Sequence, residues 1–318
     1  MRIRLITPAP KGSRQGNRVT ALRWARIFRK LGHRVVIENE YSGSLCDLLV
    51  ALHARRSFPS VKRFRTEGPE KPLVVALTGT DVYRDLKTTG ETRQSLDWAT
   101  IIVTLQPLAA EELPKRLRRR VRSIYQSATR PANCPAPLKT VFEVCVMSHL
   151  RDVKDPFLAA EAARLLPSSS RIRITHIGEA LESGMDRRAR KEMSMNPRYR
   201  WVGGRPRWEA LRLLARSRLL VLTSKLEGGA NVVSEAIACS VPVLSSRVQG
   251  SVGMLGKSYP GYFPVGDAHA LSALLRRAEG DTAFYKELKM RCERLKPLVD
   301  PAREMESWAC LLNEITIE

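Results

Sequence analysis

Short apolar runs alternate with longer stretches of helical spacing from the first residues onward. Arg2–Ile6 reads as a strand, and Thr7–Gly16, with two Pro and two Gly, as the loop after it. Val19, Leu22, Trp24, Ile27, Phe28 and Leu31 recur at helical spacing, so Asn17–Leu31 is predicted to be a helix, with Gly32 at its C-terminus. His33–Glu38 is the next strand. Asp47–Leu52 (DLLVAL) and Pro72–Leu77 (PLVVAL) are continuous apolar runs, the mark of strands buried on both faces of a parallel sheet. Ala99–Leu105 and Val121–Tyr125 read as two more. The series predicts a doubly wound α/β domain.

Ala128–Thr140 then breaks the pattern with three prolines in 13 residues and no apolar period, which reads as a linker. A second α/β series follows. Strands are expected at Thr140–Ser148, Arg171–Ile177, Leu219–Thr223 and Val241–Ser245, and helices at Pro156–Leu166, Trp208–Ala215 and Val232–Ala238. Met305, Trp308, Leu311 and Leu312 make Pro301–Ile315 a final amphipathic helix. The expected organisation is an N-terminal domain over 1–130, a C-terminal domain over 141–300 and a helix over 301–318 returning to the first domain. Two such domains would face each other across a cleft, with ligands at the carboxyl ends of the strands.

A chain of 318 residues with 43% hydrophobic content suits two packed domains. No apolar run approaches the roughly 18 residues of a membrane span, and the first strand lacks the longer apolar region of a secretory signal. A cytoplasmic location is expected. The six cysteines form no CxxC pair and only five His are present, so neither a zinc site nor a disulfide framework is expected. Net charge is +22, unevenly spread. Residues 1–140 carry 27 Lys and Arg against 11 Asp and Glu, while residues 141–318 carry 27 against 21. The densest run, Lys115–Arg122, has no interleaved aromatic for base stacking; it reads first as a solvated face, with an anionic membrane surface and then nucleic acid as the alternatives.

Five loops after strands carry candidate chemistry. In Ser224–Ala236 (SKLEGGANVVSEA), Glu227 and Glu235 are eight apart around Gly228 and Gly229. Glycines let backbone approach a ligand. Helix-start amides around Ala230, Asn231 and Val232 suit a diphosphate. Glu235, a turn into the helix, can accept hydrogen bonds from ribose hydroxyls, and Glu227 from those of a sugar. In Ser148–Pro156, Arg151 and Lys154 can clamp the diphosphate and stabilise charge on a leaving nucleotide. Thr7–Arg18 offers Gly12, Ser13, Gly16 and Asn17 to a phosphate, but matches neither GxGxxG nor a Walker loop, and is equally a plain βα loop. Thr80 and Asp81 follow the strand of PLVVAL and can meet a sugar. His53 follows DLLVAL and serves either packing or base catalysis, while Arg55 can bind an anionic acceptor.

EGGANVVSEA, the Arg151/Lys154 loop and WVGGRPR resemble the GT-B glycosyltransferases of the GT4-like group, over most of the chain. ITPAPKGSRQGNRVTALRWARIFRKLGHRV, DLLVALHARRS, LVVALTGTDVYRDL, LQPLAAEELP and IYQSA resemble the selenosugar synthase (SenB) family of selenoneine biosynthesis. The resemblance implies a GT-B fold with the last helix crossing back to the first domain. It implies UDP-GlcNAc or UDP-glucose as donor, selenophosphate as acceptor, no bound cofactor or metal, and functional coupling to a selenophosphate synthetase. Gly203 and Gly204 would line the uracil pocket, Gly228–Val232 with Arg151 and Lys154 would hold the diphosphate, Glu235 the ribose and Glu227 the sugar. Many GT4 members place a catalytic His at the TGTD segment, whereas no His stands between Leu73 and Asp81 here. An already anionic nucleophile needs little base assistance. The rival readings are a transferase acting on a lipid or polysaccharide, a UDP-sugar 2-epimerase and a nucleic-acid-binding protein.

Overall fold

The computed structural model describes residues 1–317. The chain divides into two compact units, the first formed by Met1–Gln126, Glu227–Ala230 and the segment from Pro301 on, the second by Ser127–Leu226 and Asn231–Asp300.

The first unit is built on a six-stranded parallel sheet: β1 Arg2–Ile6, β2 Arg34–Glu38, β3 Leu48–Leu52, β4 Leu73–Ala76, β5 Ile101–Thr104 and β6 Val121–Ser123, in the order β2-β1-β3-β4-β5-β6. Its helices are α1 Gly16–Lys30, α2 Phe58–Glu67, α3 Leu86–Thr88, α4 Gly90–Trp98 and α5 Lys115–Arg118. The second unit carries β7 Phe142–Met147, β8 Ile172–Ile177, β9 Tyr199–Trp201, β10 Leu219–Leu222, β11 Val243–Ser246 and β12 Tyr262–Phe263, in the order β12-β11-β10-β7-β8-β9. Around it lie α6 Leu158–Arg164, α7 Met185–Met195, α8 Arg207–Arg216, α9 Asn231–Ala238, α10 Gln249–Leu255, α11 Ala268–Gly280 and α12 Thr282–Arg294. α13, Pro301–Ile317, belongs to the first unit.

The central strands of the first sheet are buried on both faces because their side chains alternate between two cores. Leu48, Val50 and Leu52 face one core with Trp24, Phe28 and Trp308, while Leu49 and Ala51 face the other with Val61 and Phe64. The expected stripe of α1 is shifted. Ala21, Trp24, Ala25 and Phe28 are buried, whereas Leu22 stays 40% exposed. Alanines let this helix pack close to the sheet, so the stripe is set by small residues that an apolar count passes over.

α13 closes one of these cores. The Trp308 ring meets Trp24 edge-on at 4.6 Å and Phe28 at 4.8 Å between centroids. Beside it the buried Glu304 carboxylate accepts from Trp24 Nε1 at 2.8 Å and from Arg23 Nε at 3.1 Å. Residue 318, the end of the expected 301–318 helix, lies outside the described residues.

Lys115–Arg122 is not merely a solvated face. Arg116 pairs with Asp97, Arg118 donates to the carbonyls of Leu113 and Glu111, Arg120 to those of Asp97 and Ala99, and Arg122 to the Glu314 carboxylate. These guanidiniums tie loop ends together, which backbone carbonyls reward and a charge count cannot register. Among the described residues, no helix is long and apolar enough to cross a membrane.

Candidate functional site

The two sheets follow the two common doubly wound orders. The second has the 3-2-1-4-5-6 pattern, the first the 2-1-3-4-5 pattern extended by one strand. In such sheets ligands bind beyond the carboxyl ends of the strands where the winding reverses. That point lies between β7 and β10 in the second sheet and between β1 and β3 in the first.

In the second unit the loops after β7 and β10 are knitted together. Asp152–Lys154 makes a single 3₁₀ turn that ends at Asp155, in the left-handed region at φ 43°. Lys225 N donates to Val153 O at 2.9 Å, Thr223 Oγ1 to Lys154 O at 2.8 Å, and Lys225 Nζ pairs with Asp152 at 2.8 Å. The turn carrying Arg151 and Lys154 is thereby fixed to the end of β10. Glu182 accepts from Asp152 N at 2.8 Å and stands 3.7 Å from the Arg151 guanidinium. Burial raises the Asp155 carboxyl above its ordinary range, with Lys225 opposing.

β8 and β9 supply the neighbouring rim. Gly178 N donates to Gly203 O at 2.9 Å, and Glu179 N donates to His149 Nδ1 at 3.1 Å. Gly203 turns at φ 71°. A side chain on Gly204 would collide with Glu179, whose Cγ lies 2.3 Å from the position of an added Cβ. A pocket of 440 Å³ opens beside Gly203, lined by Arg190, Met193, Arg200, Trp201, Val202 and Arg205.

α9 begins at Asn231 with no acidic residue in its first turn, and Val232 and Glu235 are buried. Glu235 is 2% exposed. Its Oε1 takes a 2.5 Å contact from Arg207 Nη2, at the start of α8. Beneath the rim, His176 is buried neutral. It lies between Tyr199 OH at 2.9 Å and Ser148 O at 3.0 Å, and desolvation lowers its pKa to about 4.

The glycines of the Glu-x7-Glu segment cluster with the first unit, where they meet protein backbone. A Cβ on Gly228 would stand 2.5 Å from Thr78 C and O, and one on Gly229 2.6 Å from Leu105 Cβ. Their bareness is therefore required by the chain after β4 and β5, a demand that sequence alone assigned to a ligand. Glu227 is buried in the same cluster.

Also in the first unit, Asp81 is fully buried and occupied. It accepts from Thr78 N at 2.9 Å, Gly79 N at 2.7 Å and Ala54 N at 3.1 Å. Its work is to shape the loops after β3 and β4, in place of the sugar contact expected of it. His53, at φ 71°, is likewise enclosed. Its Nδ1 accepts from Arg56 N at 3.3 Å, which leaves Nε2 to donate to Thr80 Oγ1 at 3.0 Å. Both ring nitrogens are spent, so His53 orients Thr80 and presents no free base. Arg55, half-exposed, lies 3.5 Å from Asp85. The loop after β1 is held by Asn39 Nδ2, which donates to Thr7 O and Ala9 O. Gly12 turns at φ 83°. Among the described residues Ser13 Oγ is enclosed without a hydrogen-bond partner, and Gly16 and Asn17 open α1 with neither a side-chain cap nor an acidic first turn.

Among the described residues, no three or more His, Cys, Asp or Glu side chains come together in a way that would hold a metal ion. Sequence reasoning passed over Glu179, Glu182, Lys225 and Arg207. Arg207 carried a signal, since it ends WVGGRPR three residues past Gly204.

Two parallel six-stranded sheets of this kind are the arrangement of GT-B glycosyltransferases. The glycosyl transferases group 1 family matches residues 136–294, half of the chain, and the protein belongs to that family. The fold is similar to that of Anabaena HepE in complex with UDP-glucose, with TM-score 0.79 and 15% identity over 99% of this chain and 100% of that one. It is also similar to sucrose-phosphate synthase of Thermosynechococcus elongatus (TM-score 0.76, 15% identity, 99% of each chain). A glycosyltransferase of Rickettsia africae gives TM-score 0.73 at 12% identity over 99% of this chain and 98% of its own. Comparison with curated proteins returns no match.

Proposed function

We propose that this transferase moves GlcNAc or glucose from a UDP-sugar to selenophosphate, forming the 1-selenosugar of selenoneine biosynthesis. The observation that carries the donor half is the turn of Arg151 and Lys154 bonded to the end of β10 at the switch point of the second sheet, with α9 the next helix along the chain. Cations and helix-start amides suit a diphosphate, and a buried carboxylate one turn into α9 suits a ribose diol. HepE, whose fold is similar, is solved in complex with UDP-glucose, which supports a donor of this kind. Gly203 and Gly204 would line the uracil, and Glu227 would touch the sugar.

The acceptor half rests on the first unit. The uncapped start of α1, with Gly12, Ser13, Gly16, Asn17 and the net positive charge of residues 1–140, suits a small multiply charged anion. His53 and Asp81 are committed to the fold, which fits a nucleophile that arrives ionised. The selenium attacks C1 as the C1–O bond to UDP breaks. Arg151 and Lys154 stabilise the leaving diphosphate. Water later cleaves the Se–P bond, releasing phosphate and the selenosugar. A selenophosphate synthetase would supply the acceptor. Six free thiols fit a reducing compartment, the cytoplasm.

The test is incubation with UDP-GlcNAc or UDP-glucose and selenophosphate, thiophosphate or phosphate, followed by UDP assay and mass spectrometry. UDP together with a selenium-containing sugar is expected. UDP release only with lipid or saccharide acceptors would sink the acceptor assignment and leave the transferase standing.

A further inference from the structure

The Arg207–Glu235 ion pair joins a buried carboxylate to a half-exposed cation. Glu235 is 2% exposed, while the Arg207 side chain is 47% exposed and reaches Oε1 at 2.5 Å. The segment before Arg207 is stiff. Gly203 turns at φ 71°, Gly204 is pressed against Glu179, and Pro206 is the N-cap of α8. Arg207 therefore departs from a fixed backbone only three residues beyond the two glycines proposed to line the base.

A carboxylate taken out of water without a counter-charge is neutralised or turned aside. Ribose hydroxyls are neutral donors and supply no replacement for the guanidinium, so a bound nucleotide would share Glu235 with Arg207 rather than displace it. We infer that Arg207 is a positioning residue that holds Glu235 as an oriented, charged acceptor and thereby sets the preference for a ribonucleotide over a deoxyribonucleotide. This rests on the reading that Glu235 meets the ribose.

The experiment is titration calorimetry of UDP and 2′-deoxy-UDP with the full chain and its variants. Hydrogen bonds to a charged acceptor predict that the unsubstituted protein binds UDP about 10- to 100-fold more tightly than 2′-deoxy-UDP. In Arg207→Ala this ratio should fall toward one, with UDP itself bound about tenfold more weakly. Arg207→Lys should recover part of the ratio, since it restores the charge without the planar fork. Arg207→Gln serves where the alanine variant does not fold. A wild-type ratio in the alanine or glutamine variant overturns the inference. Unchanged UDP affinity in Glu235→Ala overturns instead the placement of the nucleotide. Loss of the ratio in Glu235→Ala but not in the Arg207 variants leaves that placement standing and removes only the role of Arg207.

Discussion

The loops at the carboxyl ends of the two sheets differ in how they spend their polar groups. In the first sheet, the loops after β3 and β4 are consumed by their own architecture. Asp81 holds three backbone amides, and His53 holds Thr80 and Arg56. In the second sheet, polar bonds hold the backbone of the Arg151–Lys154 turn, leaving the Arg151 side chain partly exposed beside Glu182 at 3.7 Å. Similar topologies thus give a rigid shelf in one unit and an arrangement of charge in the other. A polar residue at a strand's carboxyl end is a site only if the backbone around it is satisfied by something else.

The largest way to break this contrast is in the first unit's core. Trp308→Ala removes a fully buried ring stacked edge-on against Trp24 and Phe28. It should cost about 3–5 kcal/mol in denaturant unfolding monitored on the first unit. UDP binding by the folded protein should persist, and its loss would show that the units do not divide the work as stated.

Arg151→Ala and Lys154→Ala should each lower kcat by about 10²–10³, the order seen when one preorganised group at a developing charge is removed. The matching change at the first unit's shelf, Thr80→Ala, should change kcat far less. Steady-state kinetics with equal losses for both would erase the distinction.

Gly228→Ala sharpens it further. If the glycine serves Thr78, where an added Cβ would stand 2.5 Å from backbone, the variant should lose about 1–3 kcal/mol of stability. Thermal unfolding unchanged, with UDP affinity reduced, would return Gly228 to ligand binding.

A last contrast, gentlest per unit of pH, is titration of the second unit's core. His176 is held neutral with its pKa at about 4, below the ordinary 6.5. Between these values the unfolded chain binds the extra proton, so stability is full above pH 6.5 and is lost as pH falls toward 4, with a slope approaching about 1.4 kcal/mol per unit. His176→Gln should flatten this part of the urea-unfolding profile.

The doubly wound character was legible because buried parallel strands announce themselves as unbroken apolar runs, as in DLLVAL and PLVVAL. Strand ends were less legible. Thr140–Ser148 narrows to Phe142–Met147, and Val121–Tyr125 to Val121–Ser123, since pairing rather than hydropathy ends a strand. α7 gave no stripe to read, because among its eleven residues Ala189 and Glu192 are the buried ones. Of the site, spacing brought out Arg151, Lys154 and Glu235 as residues beside the second switch point. It misread Asp81, which the fold encloses, and it could not see that Gly228 and Gly229 also meet distant backbone, because such a demand leaves the same residue types as one made by a ligand. Arg207 ends the WVGGRPR motif, but its pairing was not legible, since its partner lies twenty-eight positions onward.

The central claim places the nucleotide at the switch point of the second sheet. Hydrogen exchange with and without saturating UDP tests it most directly. The account predicts slowed exchange at Arg151–Asp155 and at Asn231–Glu235, and little change at His53–Arg56. Binding of UDP with exchange unaltered at both second-unit segments would contradict it.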